Sequence, residues 1–345
     1  MPSRIRPLAA LAALTFIAVA CGPGPSSSGS APSSGSPGAG TPRITTLKVG
    51  LGYIGSVQFA PFYLAQRAGY YRDAGLEVTF DNRTDTDVVV LVGQGALDVG
   101  VSDGTSVIPA VSQGIPVRYV ATIYGTYPSI VFAKASSGIK SAADLRGRKI
   151  GIPGKYGSSW IMLQALLQSA GLTPGDVTIL EYPDYGQGVA VQQGAVDAAT
   201  GFVNNEPVQL ELSGSPAVVL HVDKVVALPG PGLISSAAAL ESKGDAVSAF
   251  IAATLRAMTE IAASPAIGLD AAIAAVPELG SNRATQQAIL DATIQSWLPA
   301  DGGGNFGSID AKDWEASIAY MTTLGLVAKP VKVDDVVRAD LLPPG

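Results

Sequence analysis

Apolar and polar residues fall into two alternating periods along this chain, and the alternation starts only near residue 46. Leu47-Lys48-Val49-Gly50 has the period-two pattern of a strand. Pro61 to Ala68 follows with helical spacing, Pro61 standing near the first turn. The segment GYYRDAGLEV, residues 69–78, leads from that helix into a second strand. Further on, Ser141 is placed to cap a short helix, Lys149–Ile152 reads as a strand, and a helix is predicted from about Ser158 to Ser169. Asp176–Tyr182 reads as another strand. Short strands separated by helices predict an α/β fold with mostly parallel sheets flanked by helices. Residues 241–325 are alanine-rich and helical throughout, and Trp297 and Trp314 within them are expected in the core.

The pattern also repeats. VGQGALDVGV at 92–101 is echoed by VQQGAVDAAT at 191–200, each a helix end, a glycine stop, an aspartate and a strand of small residues. Ala74-Gly75-Leu76 and Ala170-Gly171-Leu172 repeat at a similar spacing. Solenoid repeats have periods of about 20–50 residues, so a spacing near one hundred points to two similarly built lobes. The expected division is 46–133 for the first part of lobe 1 and 134–218 for lobe 2. Residues 219–345 are expected to cross back and complete lobe 1 with helices.

The amino terminus belongs to neither lobe. Arg4 and Arg6 precede an uncharged run from Leu8 to Ala20, too short to span a bilayer permanently, so residues 1–20 read as a signal peptide. Ala18-Val19-Ala20-Cys21 resembles the lipobox of bacterial lipoproteins, which implies a lipid on Cys21; Ala18 stands where a larger aliphatic is usual. An ordinary secretory signal with an incidental cysteine is the alternative. Residues 21–45 form a Gly/Ser/Pro tether that cannot bury a core, with a reach of about 25 Å. The expected location is outside the cell, lipid-anchored to the outer face of the cytoplasmic membrane. Loss of residues 1–20 leaves 20 bases against 28 acids, a net charge of −8, which disfavours nucleic acid and anionic surfaces. Cys21 is the only cysteine, so no internal disulfide forms.

Four stretches carry a family resemblance: QFAPFYLAQRAGYYRDAGLEV, GIPVRYVA, GIKSAADLRGRKIGIPGKYGSS and FVNNEPVQL. They are similar to the type II periplasmic-binding-protein-like group that includes receptors for nitrate, taurine, alkanesulfonates and thiamine-pyrimidine precursors. VQFAPFYLA and NNEP resemble the pyrimidine-precursor branch more narrowly. The resemblance implies two lobes closing on a small molecule, and a monomer that delivers it to an ABC permease driven by a cytoplasmic ATPase. That branch is also similar to a yeast enzyme of thiamine-pyrimidine synthesis with a cysteine-rich iron motif. Nothing like that motif exists here, so neither enzymatic activity nor a metal or cofactor is expected.

In such folds ligands sit beyond the carboxyl ends of the strands. The loop after the first strand supplies Tyr53, Gln58 and Phe59, and the loop after Val99–Val101 supplies Ser102 and Asp103. A crossing strand is expected to carry Tyr124 and Tyr127. The second lobe offers Tyr156, Gly157, Ser158, Ser159 and Trp160, then Tyr182 and Tyr185, then Phe202, Asn204, Asn205 and Glu206. Nine of the 22 aromatic residues fall in these loops, which points to recognition of a planar ring. Lys155 is the only base among them and no arginine appears, so an anion is a poor match, although backbone N–H groups at Gly157–Ser159 could hold one anionic group. An amino-pyrimidine fits, with Glu206 and Asn204 or Asn205 on its polar edge, and a flavin-sized ring is compatible. NNEP also reads as a helix start, with Asn205 as cap and Pro207 near N1. Gly50-Leu51-Gly52-Tyr53-Ile54-Gly55 matches a dinucleotide fingerprint, but no helix is predicted to open at its third glycine. His221, the only histidine, lies in an apolar run without a catalytic motif. A sensor lipoprotein on the same fold is the rival from another functional class.

Overall fold

The computed structural model describes residues 44–298 and 305–343. Cys21 and its tether lie outside them. The chain enters through β1 (Thr45–Leu51), α1 (Ala60–Arg67), α2 (Tyr70–Asp73), β2 (Leu76–Asn82), α3 (Asp85–Gly93), β3 (Val99–Asp103), α4 (Gly104–Ser112) and β4 (Val117–Thr122). It continues through β5 (Ser129–Lys134), β6 (Lys149–Ile152), α5 (Gly157–Ser169), β7 (Thr178–Glu181), α6 (Gln187–Gln193), β8 (Ala198–Phe202), α7 (Glu206–Leu212) and β9 (Ala217–His221). The last part holds β10 (Pro231–Ser236) and helices α8 (Ala237–Ala263), α9 (Pro265–Ala275), α10 (Arg283–Trp297), α11 (Ala311–Thr323) and α12 (Val333–Val336).

The strands form two five-stranded sheets, ordered β2-β1-β3-β10-β4 and β7-β6-β8-β5-β9. Each sheet has one reversed strand, β10 in the first and β5 in the second, antiparallel to both neighbours. The remaining pairings are parallel. Each reversed strand is the first that the chain lays down after crossing from the other sheet. β3 is buried over its whole length, as a strand covered on both faces must be.

The sequence echo has a structural cause. β3 and β8 occupy the same place in their sheets, and the repeated aspartate before each does the same work. Asp98 Oδ2 accepts from the Lys48 N–H at 2.9 Å, and Asp197 Oδ2 accepts from the Lys149 N–H at 2.8 Å. The backbone returns the favour, since the Asp98 and Asp197 N–H groups donate to the carbonyls of Lys48 and Lys149. Each carboxylate thus satisfies an N–H at the edge between a central strand and its neighbour.

The carboxy-terminal helices complete the first lobe. Val247, Phe250 and Met258 of α8, Leu269 of α9 and Ile289 and Trp297 of α10 share one core with β1 and α1. Tyr71 stacks on Phe250 with ring centroids 4.9 Å apart. Trp314 and Met321 of α11 pack against α3 and α4 in an adjoining core. Both tryptophans are buried, as expected from the helical spacing. α8 is long and apolar enough to cross a membrane, but its apolar face is spent on this core.

The chain passes between sheets at residues 123–128 and again at 222–230. β9 is still in the second sheet, so the return follows it. Tyr124 and Tyr127 stand in an irregular segment rather than the expected crossing strand, because Gly125 and Pro128 interrupt it and Pro128 has no N–H to pair. The two passages touch: the Ile123 and Tyr124 N–H groups donate to Pro231 O at 3.1 and 2.9 Å.

Gly232 in β10 makes this junction possible. A β-carbon there would lie 2.1 Å from the Tyr119 hydroxyl and 2.4 Å from Ala121 O. Gly232→Ala is expected to destabilise the protein by about 1–3 kcal/mol through overpacking. Gly244→Ala, where no atom lies within 4 Å, is expected to be neutral or slightly stabilising. Urea unfolding of the two variants checks both.

Candidate functional site

The carboxyl ends of β1, β3, β6 and β8 face one another across a cleft that holds about 900 Å³ of space including its mouth. Gly52, Tyr53, Gln58 and Phe59 line it from the loop after β1, and Val101, Ser102 and Asp103 from the end of β3. Pro153, Tyr156, Gly157, Ser158 and Ser159 face them from the loop after β6 and the first turn of α5. Gly201, Phe202, Asn205 and Glu206 close one end, and Tyr124 and Pro231 form the floor where the sheets join.

The aromatic residues make a defined wall. Tyr53 meets Tyr185 edge to face, with centroids 4.8 Å apart and planes at 77°. Tyr124 meets Phe202 in a similar way at 6.3 Å. Tyr185 has φ of 60°, the one positive value at a non-glycine residue among the described residues. A large side chain in the left-handed region costs about 1–3 kcal/mol and persists where its surroundings over-determine it. Here the Tyr185 N–H donates to Tyr182 O at 3.0 Å, and that turn aims the ring into the cleft. Burial pushes the Tyr185 phenol up to about 12. Burial, then the nearby Glu206 carboxyl and Tyr185, push the Tyr53 phenol up as well.

Acidic groups hold both ends. Asp85, at the start of α3, accepts from Ser102 Oγ at 2.5 Å, from the Asp103 N–H at 2.8 Å and from Ser106 Oγ. Burial raises its pKa, and those three donors oppose the rise. Asp103 is pushed well up by burial and by the charge of Asp85, with the Ser158 hydroxyl opposing the rise. Glu206 Oε2 accepts from the Phe202 N–H at 2.8 Å. It rests on Gly201, where a β-carbon would come within 2.7 Å of that oxygen. Burial raises the Glu206 carboxyl to about 7.

Fourteen of the expected residues therefore meet: Tyr53, Gln58, Phe59, Ser102, Asp103, Tyr124, Tyr156, Gly157, Ser158, Ser159, Tyr185, Phe202, Asn205 and Glu206. Four stand elsewhere. Asn204 is fully buried, its amide donating to Gln58 Oε1 at 2.9 Å and Thr293 Oγ1 at 2.8 Å, so it ties the lobes together behind the cleft. Tyr127 and Trp160 pack in the core of the second sheet, and Tyr182 packs beside Ile130 and Phe132. Their ring size favours burial over the solvated cleft wall. Asn205 holds the cap position of α7 without a capping bond, its oxygen accepting instead from Gln209 Nε2 at 2.8 Å. Lys155 is exposed and does not line the cleft. Gly50 and Gly52 serve close packing, since β-carbons there would meet Leu97 at 2.6 Å and Val101 O at 2.5 Å. His221 lies on β9 beside Asp223, away from the cleft. Among the described residues no group of His, Cys, Asp or Glu gathers that could hold a metal ion.

Asp85, Thr86 and Gln187 line the cleft unannounced by the loops after β1, β3, β6 and β8. They open α3 and α6, the helices after β2 and β7, which are equivalent positions in the two sheets. The acidic run Thr84-Asp85-Thr86-Asp87 before a valine run was the available signal, and it reads equally well as an ordinary helix start.

Residues 56–267 match the NMT1/THI5-like family. The chain belongs to that family. It is 32% identical over 340 residues to the riboflavin-binding protein RibY of Chloroflexus aurantiacus, covering 96% of each chain. The formylaminopyrimidine-binding protein of Halalkalibacterium halodurans is 27% identical over 306 residues, covering 85% of this chain and 89% of that one. A 4-amino-5-hydroxymethyl-2-methylpyrimidine phosphate synthase from Legionella pneumophila matches over a shorter span, 29% over 189 residues, covering 54% of this chain and 57% of that one. In three dimensions the alkanesulfonate-binding protein SsuA of Xanthomonas axonopodis pv. citri superposes with a TM-score of 0.68 at 20% identity. The match covers 85% of this chain and 98% of that one. The fold is thus that of periplasmic binding proteins, as the sequence motifs implied.

The raised carboxyl of Glu206 has a consequence for stability. Its neutral form is favoured in the folded state, so the stabilisation is complete at and below the ordinary carboxyl value near 4.5 and is lost as pH rises toward 7. Glu206→Gln keeps an acceptor for the Phe202 N–H and removes the ionisation. Its melting temperature relative to the parent is expected to rise steadily between pH 5 and pH 7.5, as scanned by calorimetry.

Proposed function

We propose that this protein is the solute-binding subunit of an importer and that it captures a neutral, planar nitrogen heterocycle of flavin type. The carrying observation is the make-up of the cleft: six aromatic rings from Tyr53, Phe59, Tyr124, Tyr156, Tyr185 and Phe202, with carboxyl groups at both ends and no lysine or arginine among its described lining residues. Sulfonate or nitrate recognition favours convergent cationic side chains, and no lysine or arginine stands among the described lining residues. A fused ring offers large flat area for stacking, each aromatic contact adding about 0.5–1.5 kcal/mol beyond burial. The likeness to a riboflavin-binding protein over nearly the whole chain supports the same reading.

A smaller amino-pyrimidine is the second reading. Glu206 and Asn205 at one end of the cleft suit an exocyclic amine and a ring nitrogen, and a formylaminopyrimidine-binding relative favours it. The likeness to a riboflavin-binding protein spans 96% of this chain and that to the pyrimidine receptor 85% at lower identity, which supports the flavin first. In either case the lobes close on the ring and exclude water. The closed form docks on a membrane permease, and a lipid on Cys21 keeps the exported protein near it.

Calorimetric titration with riboflavin, a formylaminopyrimidine, an alkanesulfonate and nitrate tests the ligand class. Riboflavin is expected to bind tightest and the two anions not at all. An alkanesulfonate binding while neither ring compound does would overturn the proposal. Tyr185→Gly is expected to weaken ring binding roughly tenfold, the equivalent of about 1.4 kcal/mol. It should leave the unfolding midpoint unchanged or higher, since glycine adopts that backbone conformation without strain.

A further inference from the structure

We infer, resting on the flavin reading above, that the cleft selects the unphosphorylated, hydroxyl-bearing form of its ligand: riboflavin and not its 5′-phosphate. The first turn of a helix is where a phosphate is ordinarily held, by free backbone N–H groups and the positive end of the helix dipole. α5 presents such a turn to the cleft at Gly157, Ser158 and Ser159. In this protein the opposite wall already covers it with acids. A β-carbon at Gly157 would lie 3.8 Å from Asp85 Oδ2 and 3.9 Å from Ser106 Oγ. Asp103 lines the same cleft as Ser158, and Ser158 acts to lower its pKa. Asp85 cannot swing aside to admit another anion, because Ser102, Ser106 and the Asp103 N–H hold it from three directions.

A second, independent feature points to what the cleft wants instead. Gln187 is 2% exposed and lines the cleft. Its Nε2 donates to Thr200 O at 3.3 Å, while its Oε1 has no partner. A buried carbonyl without a donor is costly, and a ligand hydroxyl or N–H would satisfy it. Asp85, Asp103, Gln187 Oε1 and Glu206 together make a polar lining of acceptors. A polyol chain supplies donors to such a lining. A phosphate supplies only further acceptors and two negative charges, beside the Asp85–Asp103 pair and with no lysine or arginine lining the cleft to offset them.

The test is a fluorescence-quenching titration of the full chain with riboflavin and with riboflavin 5′-phosphate at neutral pH. Riboflavin is expected to bind at least about 100-fold more tightly, a ratio well within what unpaired and like-charged groups produce. Asp103→Asn and, separately, Asp85→Asn are expected to narrow that ratio at least about tenfold, mainly by admitting the phosphate. Asp103→Asn removes one carboxyl of the Asp85–Asp103 pair and keeps the backbone N–H that Asp85 accepts from, so it serves if the other variant does not fold. Equal affinities for the two flavins, or a ratio that Asp103→Asn leaves unchanged, would overturn the inference. If neither flavin binds, the flavin reading falls and the same comparison is made with 5-hydroxymethyl-2-methylpyrimidin-4-amine and its phosphate. A preference for the alcohol sustains the inference there, and equal binding or a preference for the phosphate overturns it.

Discussion

The amide of Asn204 is the point at which the two sheets are held to one another. It comes from the loop after β8 in the second sheet, and it reaches Gln58 after β1 and Thr293 on α10 in the first lobe. Tyr124, on the passage between sheets, joins the same group by donating to Gln58 Oε1 at 3.3 Å. The buried NH2 group of Asn204 spends its donors on these partners, and loss of one would cost about 1–3 kcal/mol. The arrangement therefore admits one relative placement of four segments. Two of these segments, the loop after β1 and the loop after β8, also carry Tyr53, Phe59, Phe202 and Glu206. The wall of the cleft is thus set in part by a contact centred on Asn204, which does not itself line the cleft.

The lobes share a frame and differ in chemistry. Asp98 and Asp197 make the same pair of backbone bonds at matching places. Five positions beyond each, at the ends of β3 and β8, stand Asp103 and Phe202. At matching helix starts stand Asp85 and Gln187. The duplicated topology delivers pairs of side chains to the cleft from opposite sides, and at each pair the residue types have parted. At these two pairs the first lobe contributes carboxyl groups and the second a ring and an amide, so the two halves complement each other there rather than repeat.

Much of this was legible in the chain. Strand and helix periods, the spaced echo and the motif around Asp144 to Pro153 placed both lobes, and the loops after β1, β3, β6 and β8 named most of the wall. What sequence could not convey is the direction of a side chain. Trp160 follows Ser158 and Ser159 on α5, yet two residues along a helix turn by more than half a circle, so it meets the core. Asn204 and Asn205 are neighbours in NNEP, but one is drawn into the junction between lobes and the other remains on the cleft. Asp85 and Gln187 were hidden for the opposite reason. An acid or amide at a helix start is chemically ordinary, and only the packing of the opposite lobe makes it part of a site.

The two passages between the sheets carry a mechanical meaning. They are not separate ropes, for Tyr124 is bonded to Pro231 where they run together, and Gly230 lets the backbones nearly touch. Two tethers tied at one place resist sliding and shear of the halves but yield to torsion at the knot. The floor of the cleft at Tyr124 and Pro231 is therefore the one stretch of its lining that is bonded to both passages at once.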